Sequence, residues 1–258
     1  MILNVNAISD RGTVRGNNED LVTLGGIMLR DGRYSEELEF SGTPAYYLLI
    51  ADGMGGHDKG EQADLMTLEH LRDCFTMGDM DVDTFADDIT RSVQYISYKI
   101  NAIARYEKQE RPMGCTLTGV IWLEDRVWLV NAGDSRTYLF RDGIVEQLTV
   151  DEENEDGILT NCVGGGSDTA LAVTELTGKL QDGDILLICS DGLGDVVNDD
   201  YLEYFLMNSV SPAEDLAEWA MENGSTDNVS VIAARVGGGL FGDQDEVPDD
   251  DGRFDAWA

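Results

Sequence analysis

Residues 48–60 read LLIADGMGGHDKG. The apolar run begins upstream, AYYLLIA over 45–51, and is continuous rather than alternating. Such a run predicts a central strand covered on both faces. It delivers Asp52 into a stretch with glycines at 53, 55, 56 and 60. Glycine lets backbone come close to a ligand or to another segment. A single Asp-Gly is most simply a turn, so the reading of Asp52 depends on whether the arrangement recurs.

It does recur. LLICSDG ends in Asp191-Gly192, and VNAGDSR places Asp134 just after a strand. STDN places Asp227 just before one, and NNED places Glu19 and Asp20 before another. Asp142-Gly143 and Asp182-Gly183 lack this context and read as turns. Carboxylates gathered at strand ends repel one another and titrate upward unless compensated. A divalent cation compensates them. Hard oxygen donors, with only His57 and His70 in the whole chain, point to Mg²⁺ or Mn²⁺ rather than zinc.

Around these sites the pattern gives an order of elements. ILNVNAIS alternates as a half-buried strand, and LVTLGGIML (21–29) reads as a second strand. RDGRYSEELEFSG (30–42) reads as turn-rich and polar. A helix is predicted from Lys59 to about Phe75, with Ala63, Met66, Leu68 and Leu71 at helical spacing. A second spans 82–109, with Phe85, Ile89, Val93, Ile96, Ile100 and Ile103 on one face. Short strands follow: CTLTGVIWL, RVWLVNAG, SRTYLFR, GIVEQLT, TALAVTELT and DILLICS, with Asp142-Gly143 as a hairpin turn. SPAEDLAEWAMENG (211–224) is a helix with Ser211 as N-cap, Pro212 at N1, Glu214 completing a capping box and Gly224 at its end. DNVSVIAARV (227–236) is the last strand. Strands, then adjacent helices, then many antiparallel strands predict an α+β fold, two antiparallel sheets packed face to face with helices outside. Residues 1–236 form the predicted domain, and 237–258, with seven acids and one arginine, a flexible acidic tail.

Composition narrows the function. The chain of 258 residues carries 51 acidic and 17 basic side chains, a net charge of −34, within the range of an acid-rich or haloadapted proteome. That field disfavours nucleic acid and anionic membrane and favours cations and basic partners. Cys74, Cys115, Cys162 and Cys189 lack CxxC spacing and read as buried small hydrophobes. Met28, Met66 and Met77 read as core filler. The opening MILNVNAISD has no basic n-region and no run reaches a membrane span, so a cytoplasmic monomer is expected.

RGTVRGNNED, IADGMGGHDKGEQAD, GCTLTGVIW, VNAGDSRTYLFRDG, ICSDGLGD and STDNVSVI together resemble the metal-dependent protein phosphatase 2C family in its bacterial form, across residues 3–236. The resemblance implies a β-sandwich flanked by helix pairs (α-β-β-α). It also implies hydrolysis of phosphoserine and phosphothreonine in proteins, substrates of a bacterial Ser/Thr kinase. The chemistry implied is attack by a water activated at two Mn²⁺ or Mg²⁺ ions. Asp52 then matches the carboxylate bridging both ions, with the Gly53 carbonyl as a further ligand. Asp191 and Asp227 match ligands of the first ion, Glu19 matches the acid of the second, and Asp20 its neighbouring acceptor. Asp134 and Asp195 match positions for a third, weaker ion. Arg15 matches the arginine that grips the substrate phosphate, and Asn228 orders the loop around Asp227.

Two departures stand out. Met54 occupies the position of a histidine general acid in eukaryotic members, and His57, three residues on, reads as a loop histidine. The segment between QLT (147–149) and LTNCVGG (159–165) is only VDEENEDGI, where the family carries a longer flap. Its five acids read as a solvated loop that disfavours acidic flanks around a phosphosite and favours basic ones. The competing reading is a phosphatase-like module that binds or regulates without turnover. Retention of Glu19, Asp52, Asp191, Asp227 and Arg15 weighs against it.

Overall fold

The computed structural model describes residues 2–39, 45–55, 58–78, 80–237, 239 and 241. His57 and the tail from 242 onward lie outside them. One antiparallel sheet holds β1 (Ile2–Asp10), β4 (Gly32–Glu39), β9 (Arg136–Arg141), β10 (Ile144–Gln147), β13 (Ile185–Cys189) and β14 (Val229–Val236), in the order β10-β9-β13-β14-β1-β4. The other holds β5 (Tyr46–Met54), β6 (Gly114–Cys115), β7 (Leu117–Leu123), β8 (Arg126–Ala132), β11 (Val163–Gly164) and β12 (Ala172–Glu175), in the order β11-β6-β5-β7-β8-β12. To β5 is also joined the hairpin of β2 (Asp20–Leu24) and β3 (Ile27–Leu29). The helices are α1 (Asp58–Met77), α2 (Phe85–Tyr106), α3 (Asp191–Gly194), α4 (Asp199–Asn208) and α5 (Pro212–Glu222).

Four layers enclose three cores, and strand alternation shows how. In β5, Leu48 and Ile50 join Val5, Val22, Trp122, Ile188 and Ile232 between the sheets. Tyr47, Leu49 and Ala51 face the other way, against Leu68 and Leu71 of α1 and Phe85, Ile89, Val93, Ile96 and Ile100 of α2. β13 does the same from the second sheet: Leu186 and Ile188 point between the sheets, while Ile185, Leu187 and Cys189 pack with Leu202 and Leu206 of α4 and Leu216 and Ala220 of α5. A strand covered on both faces has no polar side, which is why both runs are continuously apolar. The α-β-β-α order is the one the strand and helix pattern predicts.

Several local expectations are corrected. LVTLGGIML is a hairpin rather than one strand: Gly25 and Gly26 both have positive φ, +56° and +106°, as a two-residue turn requires. The polar 30–42 stretch contains the edge strand β4, paired along β1 from Ile2↔Glu39 to Ser9↔Gly32. Its exposed Glu36 and Glu37 blunt a free edge. Ser211 is the N-cap of α5, but its side chain makes no capping bond and no capping box forms. Asn6 of β1 takes that place, its Oδ1 accepting from Ala213 N at 2.9 Å while its Nδ2 donates to Glu214 Oε1 at 3.4 Å. Met77 is exposed and Cys74 only half-buried, whereas the other three cysteines are buried. The 148–162 segment contains no helix, only an isolated bridge between Glu153 and Leu159.

Candidate active site

The two sheets bring their strand ends together at one edge of the sandwich. Asp20 and Asp52 are register partners in the β2–β5 ladder. Asp20 shares its strand face with Val22 and Leu24, and Asp52 shares its own with Leu48 and Ile50, so both carboxylates lie on the side between the sheets. From the other sheet come Asp191, directly beyond β13, and Asp227, two residues before β14. Asp134 follows β8. A cleft of about 590 Å³ opens there, lined among others by Arg15, Glu19, Asp52, Gly53, Asp134, Asp191, Asp227 and Asn228.

Hydrogen bonds hold the walls. Asp52 N donates to Thr116 Oγ1 at 3.0 Å, and Thr116 Oγ1 meets Ser135 Oγ at 2.7 Å. Gly53 N donates to the Glu19 carbonyl at 2.8 Å, tying the Glu19 loop to the end of β5. A Cβ on Gly53 would stand 2.5 Å from the Gly60 carbonyl carbon in the first turn of α1, so only glycine lets strand and helix meet there. Asn228 clamps the β1–β2 connection at three points: Oδ1 accepts from Glu19 N at 2.9 Å, and Nδ2 donates to Arg11 O at 2.8 Å and Asn17 O at 2.9 Å. Asn17 steadies the Glu19 carboxylate at 3.2 Å and also bonds Glu61 at 2.9 Å.

Not every predicted residue reaches the cleft. Asp20 is buried beneath it and accepts from Ser190 Oγ at 2.8 Å. That bond begins a chain through Ser230 and Ser9 to Asn18 that spans the two sheets. Asp195 stands outside the cleft wall, its side chain 70% exposed and 3.8 Å from Arg136. Arg15 forms an ion pair with Asp227. Sequence reasoning missed Thr116 and Arg111 in the wall. Thr116 lies inside the quoted GCTLTGVIW stretch, so its signal was available; Arg111 lies just before it and belongs to no pattern.

The electrostatics are those of crowded carboxylates. Burial pushes Asp52 well above the usual carboxylate range, and Asp20, Asp191, Asp227 and Asp134 push it further. Asp191 is raised to about 8, first by burial and then by Asp227 and Asp20. Asp20 and Asp134 are each raised to about 6, chiefly by burial. Asp191 Oδ1 is buried with no hydrogen-bond partner among the described residues. A buried oxygen without a partner is costly, and like charges around it compound the cost. A hard divalent cation answers both, and an all-oxygen donor set suits Mg²⁺ or Mn²⁺. Among the described residues, however, no three His, Cys, Asp or Glu side chains are gathered closely enough to enclose an ion.

Comparison with known proteins agrees with this arrangement. The family model for protein phosphatase 2C matches residues 37–225. The serine/threonine protein phosphatase PstP of Mycobacterium tuberculosis is 34% identical over 257 residues, covering 92% of this chain and 45% of that protein. The chain therefore spans less than half the length of that relative. The crystal structure of the catalytic domain of PstP in complex with 2 manganese ions aligns with a TM-score of 0.70 at 32% identity, covering 92% of this chain and 99% of the other. The S. agalactiae serine/threonine phosphatase aligns with a TM-score of 0.77 at 23% identity, covering 91% and 99%, which speaks to the fold alone. No helix among the described residues is long and apolar enough to cross a membrane. The chain belongs to the protein phosphatase 2C family.

Proposed function

We propose that the chain is a metal-dependent serine/threonine protein phosphatase whose active site is the carboxylate cleft. One observation carries this reading. Acidic side chains from both sheets converge on one cleft with an unpartnered buried oxygen on Asp191 and with Arg15 on the rim. The two manganese ions of the related PstP catalytic domain support a binuclear centre here. Asp52 would bridge the ions, with the Gly53 carbonyl beside it. Asp191 and Asp227 would hold one ion and Glu19 the other. Asp20 would act from beneath through Asp52 and Ser190. A weaker third ion would be held by Asp134, and by Asp195 once its exposed side chain leaves Arg136 and turns toward the cleft.

When bound, two divalent ions supply a water that deprotonates near neutral pH, together with positive charge for the phosphoryl oxygens. The chain supplies the rest. Arg15 offers a planar guanidinium to the phosphate once released from Asp227. The clamp of Asn228 and the Gly53–Gly60 contact hold the ligand loops in register before substrate arrives. Met54 lines the cleft and carries no titratable proton, so it cannot serve as the acid, and water would supply the proton for the leaving Ser or Thr oxygen. Enclosing an ion requires the carboxylates to close in and the Arg15–Asp227 pair to loosen. The catalytic unit would be residues 1–236 with 237–258 as an acidic tail, acting on phosphoproteins made by a Ser/Thr kinase. The test is release of phosphate from a phosphothreonine peptide with Mn²⁺, with Mg²⁺, and with EDTA. Activity that persists in EDTA contradicts the reading.

A further inference from the structure

Arg111 shares the cleft wall with Arg15 but comes from elsewhere, the connection between α2 and β6. That connection is fixed at both ends. Gln109 N donates to Ala104 O at 3.0 Å, and the Gln109 side-chain carbonyl accepts from Met113 N at 3.0 Å. Met113 is fully buried, and its carbonyl accepts from Gly165 N at 2.9 Å. Between these anchors, Pro112 has a fixed φ and confines the residue before it to extended backbone. Arg111 is thus carried on a short span with few conformations available.

Its charge is uncommitted. Arg15, Arg30, Arg33, Arg72, Arg91, Arg126, Arg136 and Arg141 are all in ion pairs; Arg11, Arg105 and Arg111 are in none among the described residues, and of these three Arg111 lines the cleft. Arg111 is exposed and has no carboxylate partner among the described residues, in a chain with 51 acidic side chains. The cleft's own carboxylates line the same cavity, yet none is within ion-pair distance of it. An unpaired guanidinium on an anchored stretch of backbone, in the lining of a cleft that takes a phosphorylated chain, is available for a second anion on that chain.

We propose that Arg111 is a specificity-determining residue that binds a second anionic group, a carboxylate or a phosphate, close in sequence to the phosphosite of the substrate. This rests on the phosphatase reading above. The guanidinium fork matches either oxyanion in bidentate fashion. Two electrostatic preferences then coexist. The net charge of −34 attracts basic polypeptides at long range, and Arg111 selects an acidic neighbour at contact range. The long-range component decays over a Debye length of about 10 Å at 0.1 M salt.

The experiment holds long-range attraction constant. Peptides of identical composition and net charge carry one phosphothreonine and one glutamate. The glutamate lies within three residues of the phosphothreonine, on either side, or ten residues away. A further pair carries a non-hydrolysable phosphonate in place of the glutamate, separating phosphate from carboxylate as the preferred anion. The readout is the ratio of kcat/KM, near over far, with Mn²⁺. The wild-type ratio should reach about tenfold for the best near position, the scale of one charge-assisted hydrogen bond. Arg111→Ala should bring the ratio to about one, Arg111→Lys should keep part of it, and Arg111→Glu should invert it. Wild-type turnover with a ratio of one, or a ratio unchanged in Arg111→Ala, overturns the assignment of Arg111 alone. Absence of Mn²⁺-dependent turnover of every peptide contradicts the phosphatase reading, and this inference with it.

Discussion

Asp20 and Asp52 sit directly opposite one another in the β2–β5 ladder, two carboxylates on adjacent strands with Asp20 sealed from solvent. Like charges facing across a ladder destabilise it. The protein tolerates the pair because Ser190 bonds Asp20 from the second sheet and because, on the proposed reading, Asp52 is held by cations. The acids cost stability without metal and gain it with metal, and this governs the predictions below.

Stability without metal should fall as pH rises. Asp191, at about 8, and Asp20 and Asp134, at about 6, all lie above their ordinary value of 3.8. An acid raised on folding contributes stability that is complete below its unfolded pKa and is lost as pH climbs through its folded pKa. In EDTA the melting temperature should therefore drop between about pH 5 and pH 8. Saturating Mn²⁺ should raise it most at the alkaline end, where protons no longer compete. Scanning calorimetry at several pH values checks this, and a melting temperature in EDTA that rises over the same range contradicts it.

Arg15→Ala should raise KM for phosphopeptides with little change in kcat, because a guanidinium–phosphate contact forms in both ground and transition states. One charge-assisted bond is worth about 1.5–3 kcal/mol, or about 10- to 100-fold in KM. Steady-state kinetics decide it; a collapse of kcat at constant KM would give Arg15 another role.

Arg30→Ala should be the severest single loss of stability outside the cleft. Arg30 Nη2 donates to both oxygens of Asp64 at 2.8 Å, and Asp64 has no solvent exposure. Burial raises Asp64 to about 8 even beside Arg30, so the loss should be largest above that pH, where a buried charge is stranded at about 3–5 kcal/mol, or about 6–20 °C in melting temperature for a chain of this size. Arg30→Ala together with Asp64→Leu should recover much of it. No recovery in the double variant would show that Arg30 matters by another route, such as its bond to the Asn18 carbonyl.

Much of this molecule is legible in its sequence, and the gaps have physical causes. Leu48–Ala51 reads as a central strand, and Ile185–Cys189 as a strand, because burial on both faces removes every polar residue. β4 did not read as a strand, since an edge strand facing solvent has no apolar alternation to show. The N-cap of α5 was assigned to a capping box because Ser211 and Glu214 have its spacing, while the partner that forms, Asn6, is 207 residues from Ala213. The cleft acids were legible because they recur at strand ends. Their depth was not: Glu19 ends a loop and Asp20 opens β2, and only the fold separates a cleft carboxylate from a buried one. Arg111 was not legible, because one arginine before a proline carries no signal until the fold brings it into the same cleft as Arg15.

The acidic 150–158 run is only partly solvated surface. Asp151 pairs with Arg136 at 2.7 Å, and Glu152 Oε2 accepts from Gly133 N at 2.8 Å and Asn161 Nδ2 at 2.6 Å. Those two shape the loop. Glu153, Glu155 and Asp156 are the exposed acids. Neutralising these three to Gln, Gln and Asn should narrow the preference for lysine-flanked over glutamate-flanked phosphopeptides at low salt, while Glu152→Gln should lower stability instead. An unchanged kcat/KM ratio in the triple variant would leave the loop without a part in substrate selection.

The central claim is that the convergent carboxylates hold the metal that hydrolyses the phosphoester, with Asp52 at their centre. The most direct test is Mn²⁺-dependent turnover of a phosphothreonine peptide by Asp52→Asn, with the thermal melt in EDTA measured on the same preparation. The account predicts a loss of turnover of about 100-fold or more in a protein that melts no lower than wild type in EDTA, because a buried like charge has been removed. Wild-type turnover with a wild-type Mn²⁺ dependence in Asp52→Asn would contradict it.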